Sequence, residues 1–347
     1  MSYSPIDKPT DFFNSVLYSG NGSTQSITGV GFQPDFIWQK ERSSTSYHVV
    51  TDVVRGNTKQ LFPNDTSEDV TSSNYITSFN SDGFGQGQNN DTNENSQTYV
   101  SWNWKAGTSV SGNTGGSGTS KSYSGSVNTD AGFSIIKYTG NGTAGHTIPH
   151  HLGVAPSMII TKIISGDTSS WYMYHKSLGN TGNIFLDTTA AVSNSGAWWN
   201  STTPTSSVFT VGDQTGNNSN NNPFIAYCFA DVQGYSKFGS YVGNGSTDGT
   251  FVYTGFKPAF VIIKNTGASL NWLLKDNKRP SDQNLNNTNF YPNLDAAEET
   301  SNDTDFLSNG FKARNTGSYQ NASGNNYMYI AFGQTLVGTN NIPNNAF

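Results

Sequence analysis

Cysteine is nearly missing from this chain. Cys228 stands alone in 347 residues, so no intrachain disulfide can form and the fold needs no oxidising compartment. It sits in the apolar run Ala226-Tyr227-Cys228-Phe229, where a buried, inert thiol is expected. Charge is scarce as well: Lys and Arg total 18, Asp and Glu 24, for a net of -6. No basic run occurs, which removes the electrostatic footprint of a nucleic-acid partner. No apolar stretch approaches the roughly 18 residues of a spanning helix, so no membrane span is expected. Met1 to Phe13 has neither a cationic segment nor an apolar core, so it does not read as a secretory signal.

Amide, hydroxyl and glycine take the place of charge. Asn occurs 42 times, more than twice the Lys plus Arg count. Asn and Gly tolerate left-handed backbone, so this composition suits many tight turns. Aromatic residues make up 13%, too many for a disordered chain.

One sentence is written three times. Tyr18-Ser19-Gly20-Asn21-Gly22-Ser23 returns as Tyr138-Thr139-Gly140-Asn141-Gly142-Thr143 and as Tyr241-Val242-Gly243-Asn244-Gly245-Ser246. Each copy is followed by a Gly-x-x-Pro step ending at Pro34, Pro156 or Pro258, then an apolar run ending in Lys40, Lys162 or Lys264. Each closes on paired aromatics, Tyr99 and Trp104, Phe224 and Phe229, Tyr327 and Phe332. The spacing is 120 and then 103 positions, far above the roughly 20 to 50 residues of solenoid and blade repeats. Each copy is long enough for a core of its own.

The apolar runs are short, β-branched and bounded by Pro and polar loops, the pattern of strands. No helical period is legible. The expected fold class is all-β: three tandem β-sandwich modules of jelly-roll or lectin-like type. The reading divides the chain into an N-terminal arm over 1–12, modules at 13–107, 129–231 and 234–338, and a C-terminal tail over 339–347. Residues 108–128, rich in Gly, Ser and Thr, read as a flexible linker. The second and third modules, nearly abutting, read as a rigid pair. Phe36, Ile159 and Val261, with Trp104, Phe229 and Phe332, are the expected core.

Four constellations bear on function. The Tyr-x-Gly-Asn-Gly motif has the ingredients of a glycan loop, but its presence in every copy favours a turn, which every copy needs. Asp52, His175 and Asp276 fall at matching places after the second strand. One copy has His, and no second carboxylate keeps the spacing, so no acid–base pair is legible and no catalytic residue is assigned. His146, His150 and His151 are close in sequence, yet the other copies lack them, so a polar hairpin is read and no metal or other cofactor is expected. Trp171, Trp198, Trp199 and Trp272 are the candidates for a sugar platform, the adjacent pair Trp198-Trp199 foremost, since strand neighbours face opposite ways.

Several segments carry a resemblance. They are Ile6-Asp7-Lys8-Pro9, Tyr18 to Ser23, Gly31-Phe32-Gln33-Pro34-Asp35-Phe36, Asp52-Val53-Val54-Arg55-Gly56 and Asn80-Ser81-Asp82-Gly83-Phe84. Further along are His150-His151-Leu152-Gly153, Ala226 to Val232 and Gly234-Tyr235-Ser236-Lys237-Phe238-Gly239. In these the chain resembles three-module tail-fibre-like structural proteins of tailed phages of marine bacteria. The resemblance implies a non-enzymatic virion protein, assembled in the host cytoplasm and contacting other virion subunits and the host surface, where a glycan is a partner to consider. The alternatives are a capsid-decorating or head-fibre protein, a glycan-degrading enzyme, and a lectin or adhesin. The aromatic content suggests an oligomer, a homotrimer foremost, with the arm from Tyr3 to Phe13 docked on a neighbouring subunit.

Overall fold

The computed structural model describes residues 6–280 and 285–334. Among these, helix is confined to single turns at Pro9–Asp11, Asn90–Asn93 and Thr215–Asn218, and the rest of the regular structure is antiparallel strand. The all-β expectation holds.

One sheet order is laid down three times. In the first repeat the strands run Phe13–Ser19, Thr98–Trp104, Phe36–Glu41, Val49–Asp52 across the sheet. The second repeat runs Phe133–Thr139, Pro223–Phe229, Met158–Ile163, Tyr172–His175, and the third Ser236–Val242, Asn326–Gly333, Pro258–Asn265, Leu273–Asp276. The register repeats too: Tyr18 faces Tyr99, Tyr138 faces Phe224 and Tyr241 faces Tyr327. Pro34, Pro156 and Pro258 stand just before or at the start of the strand that enters the core, where a missing N–H does least harm.

In each of these sheets the three strands after the first are buried on both faces. In Pro223–Phe229, Phe224, Ala226 and Cys228 face the repeat's own sandwich, while Ile225, Tyr227 and Phe229 face the other way. In Asn326–Gly333, Tyr327, Tyr329 and Ala331 are on one side and Met328, Ile330 and Phe332 on the other. The second set of faces meets in one core shared by all three repeats. Trp104, Phe229 and Phe332, matching residues of the three closing strands, form a triangle there with ring centroids 5.4, 5.7 and 6.4 Å apart. Three tandem domains, each with a core of its own, are expected. Each repeat has such a core, and the three are also joined through the shared one, because their strands carry apolar side chains on both alternations. It also buries, within one chain, the aromatic area from which a homotrimer is expected.

Two boundaries move. The segment 108–128 is not a free linker: Thr108–Asn113 and Ser122–Asn128 form a hairpin added to the edge of the second repeat's sheet. Pairing needs only backbone groups, and Tyr123 and Val127 anchor it in that repeat's core. The arm, over its described residues, lies on its own chain. Ile6 is 4% exposed in the shared core, and Pro9 and Phe13 are buried. Tyr3, the last residues of the third module and the tail 339–347 lie outside the described residues.

Candidate functional site

The triplicated motif builds a turn held by an amide. Asn21, Asn141 and Asn244 each fold their side-chain oxygen back onto the N–H two residues on, at 2.8 to 2.9 Å. Their own N–H groups donate to the side-chain oxygens of Asn93, Asn218 and Asn321, at 2.9 to 3.1 Å. Gly20, Gly140 and Gly243 lie so close to the chain that a Cβ would meet a carbonyl oxygen at 2.0 to 2.3 Å. The tyrosines stack on the closing aromatics, with centroids 5.1 to 5.2 Å apart. The tyrosine, the first glycine and the asparagine of each copy are thus committed to the fold.

The sequence reading missed the partner Asn. Its signal is present: an Asn stands six residues before the first closing aromatic in each copy, at Asn93, Asn218 and Asn321.

The chemically richest groups lie along the seams between repeats. Trp171 donates its indole N–H to the Phe62 carbonyl at 2.9 Å, and Trp272 donates to the Phe185 carbonyl at 3.0 Å. His48 occupies the matching place in the first repeat. Trp38 donates to its Nδ1 at 3.0 Å, so Nε2 carries the proton and donates to the Tyr291 carbonyl at 3.2 Å. Burial holds this imidazole well below its ordinary pKa, so it stays neutral. Second repeat to first, third to second and first to third: the contacts close a head-to-tail ring within one chain.

A second ring runs beside it through the three residues weighed as acid–base candidates. Asp52 accepts from Tyr227 Oη at 2.7 Å, across the seam, and from Arg55 Nε and the Val54 and Arg55 N–H groups. Asp276 accepts from Trp102 Nε1 at 2.9 Å and from Arg279 Nε and the Lys278 and Arg279 N–H groups. His175 accepts at Nδ1 from the Ser177 N–H and donates from Nε2 to the Tyr329 carbonyl at 3.2 Å, and burial lowers its pKa to about 4. The two Asp–Arg pairs have fully buried side chains. These residues are not brought together. They are one per seam, saturated with hydrogen bonds, and shut off from any substrate. The repeated Asp-x-x-Arg, at Asp52 to Arg55 and Asp276 to Arg279, is the signal that marks the pairing.

The lysines that end the three apolar runs complete the seams. Lys162 Nζ donates to the Thr66 carbonyl of the first repeat at 2.9 Å and to the Ser169 carbonyl at 2.8 Å. Lys264 Nζ reaches the Thr189 carbonyl of the second repeat and the Ala268 and Leu270 carbonyls. Lys40 Nζ donates to the Glu41 carbonyl, and Asp295 of the third repeat is among the charges acting on it. Burial lowers each ammonium to about 8.

The proposed sugar platform is not assembled. Trp171, Trp199 and Trp272 are fully buried, the first and last because the seams need their N–H groups. Trp198 is half-buried, with its ring 4.2 Å from that of Tyr172. The Trp198-Trp199 segment is a run of turns, so strand alternation does not apply to it. The three clustered histidines are placed apart in function. His146 bonds Asn218 Oδ1 and Thr114 Oγ1, His150 the Thr205 carbonyl, and His151 the Tyr123 hydroxyl.

No described helix is long and apolar enough to cross a membrane. Comparison with curated proteins and with solved structures finds no match. One family model runs across all three repeats, from residue 8 to residue 335, and the chain belongs to that family, described as a domain of unknown function (DUF7483).

Proposed function

We propose that the chain is a non-enzymatic structural protein of a phage particle, carried on a tail fibre or comparable appendage that meets the host surface. The observation that carries this reading is the fate of the ionisable groups. Asp52, Asp276, His48, His175, Lys162 and Lys264 all hold one repeat to another. A chain that commits its buried charge to rigidity, and covers itself in amides and hydroxyls, is suited to display rather than turnover. The resemblance to tail-fibre-like proteins supplies the setting.

The test is direct. Antibody against the purified protein, applied with gold label to intact particles, should decorate the tail appendages. Label confined to the head would replace the reading with a capsid-decorating protein. Release of oligosaccharides from host polysaccharide by the purified protein would overturn the non-enzymatic part.

A further inference from the structure

Equivalent residues occupy equivalent strand positions in the three repeats. A residue that breaks the repeat while remaining exposed is therefore not demanded by the fold. The strand Phe251–Tyr253 is such a place. Its middle residue, Val252, is buried in the third repeat's own core, as Ile27 and Ile148 are at the matching positions. The flanking positions point outward. The first repeat carries Ser26 and Thr28 there, the second Thr147 and Pro149, and the third Phe251 and Tyr253. Phe251 is 42% exposed and Tyr253 is 53% exposed, at the edge of their sheet.

A second observation points to a ligand. Tyr253 lines an open hollow of about 410 Å³ together with Asp231, Gln233, Lys237 and Thr254. Lys237 breaks the repeat as well, since Asn14 and Ser134 stand at its matching positions. Its Nζ lies 5.1 Å from the centre of the Tyr253 ring. The hollow is within the roughly 300 to 1,000 Å³ range of small-ligand sites. An exposed aromatic ring, with an ammonium over one face and a carboxylate and an amide nearby, is the chemistry that takes a pyranose. The sugar's C–H face lies on the ring and its hydroxyls meet the polar groups. Asp231 also pairs with Lys176 and accepts from the Phe238 N–H, and a carboxylate has further acceptor sites for a hydroxyl.

We propose that this corner of the third repeat is a saccharide-binding site, with Tyr253 as the stacking ring, Phe251 extending the platform along the strand, and Asp231, Gln233 and Lys237 binding hydroxyls. The ligand is a hexose unit of a bacterial surface polysaccharide. That source rests on the function proposed above, whereas the saccharide chemistry does not.

The test uses the full chain on an array of bacterial surface polysaccharides and their hexose and amino-hexose mono- and disaccharides. The variant is Phe251→Ser with Tyr253→Thr, the pair the first repeat carries, so the strand is preserved, and a thermal melt checks it. The expected result is binding to at least one glycan, weakened about tenfold or more in the variant, as for loss of an interface anchor. No binding by the unaltered protein, or equal binding by the variant, overturns the site. Gold labelling of particles is read separately: binding by a protein not found on particles keeps the site and removes the virion reading. A particle-borne protein that binds no saccharide does the reverse.

Discussion

Trp171 donates its indole N–H to the carbonyl of Phe62, 2.9 Å away and 109 positions earlier in the chain. The bond joins the second repeat to the first, and its counterparts at Trp272 and His48 close the ring. Two effects can be separated by substitution. Trp171→Ala removes ring and bond together and should cost about 3 to 5 kcal/mol. Trp171→Phe keeps an aromatic ring and removes the bond, while the Phe62 carbonyl still accepts the Asp65 N–H, so the cost should be about 0.5 to 1.5 kcal/mol. Urea midpoints at unchanged slope measure both. A Trp171→Phe protein as stable as the parent would show that packing alone holds this seam.

Tyr227 and Asp52 should be energetically coupled. Tyr227 Oη is the one donor to Asp52 that comes from another repeat, at 2.7 Å in a buried setting. Tyr227→Phe and Asp52→Asn each disturb that bond, and a double-mutant cycle should return a coupling of about 0.5 to 3 kcal/mol. Asp52→Ala is expected to be worse than either, because it leaves the buried Arg55 guanidinium only the more distant carboxylate of Asp69. Additive single effects would refute the link across the seam.

The legible parts of this fold are those that recur along the chain, and the hidden parts are those set by contacts between copies. Strand positions, the Asn-Gly turns and the closing aromatics are local, so the Tyr18, Tyr138 and Tyr241 segments announce them. The shared core was not legible. Ile225, Tyr227 and Phe229 alternate with Phe224, Ala226 and Cys228, and such a strand reads alike whether its second face meets a neighbour or another module. The hairpin at 108–128 was hidden for a different reason. Its pairing is made by backbone, and Tyr123 and Val127 are too sparse to give a period against Gly and Ser. Trp171 and Trp272 misled because exposure cannot be read from residue type: an indole suited to stacking is equally suited to a buried bond across a seam.

Gly140→Ala should be severely destabilising, and Gly267→Ala should not. A Cβ at Gly140 would stand 2.3 Å from the Ser219 carbonyl oxygen, inside the turn that seats Asn141. A Cβ at Gly267 would meet nothing closer than 3.9 Å, so its substitution should be neutral or stabilise by up to about 1 kcal/mol through the unfolded chain. Thermal melts of the two variants make the comparison. Equal melting points would show that the motif's glycine is not required by close approach.

Stability should rise with pH above neutrality and then fall. Burial lowers Lys40, Lys162 and Lys264 to about 8, against roughly 10.4 in an unfolded chain. Between those values the unfolded state binds more protons than the folded one, so the penalty for burying the ammonium groups is relieved as pH rises. Lys275 is shifted in the same sense, and the Cys228 thiol, pushed up to about 12, opposes with a single group. Above about 10 the sign reverses. Tyr291 and Tyr329, pushed up to about 12 by burial, keep their protons in the fold while unfolded tyrosines lose theirs. The urea midpoint should therefore be higher near pH 9.5 than at pH 7, and lower again near pH 11.5. Lys162→Met should flatten the rise. A midpoint that falls steadily from pH 7 would contradict the burial of these ammonium groups.

A single repeat should not fold as a compact monomer. A fragment from residue 108 to residue 232 keeps its own sandwich core, including Ile136, Ile159, Phe209 and Phe224. It loses the partners of its other face, where Met158, Ile160, Trp171, Met173, Tyr227 and Phe229 meet the first and third repeats. The Trp171 N–H and the Tyr227 hydroxyl would lose their acceptors on the same face. An apolar face of that extent on a small domain drives association or loose packing. The fragment should bind a hydrophobic dye, self-associate and melt without a sharp transition. The full chain should unfold in one cooperative step, because the shared core couples the three repeats. A monomeric fragment with dispersed amide resonances and a sharp melt would establish the sandwich as autonomous, and would reduce the shared core to a contact between finished domains.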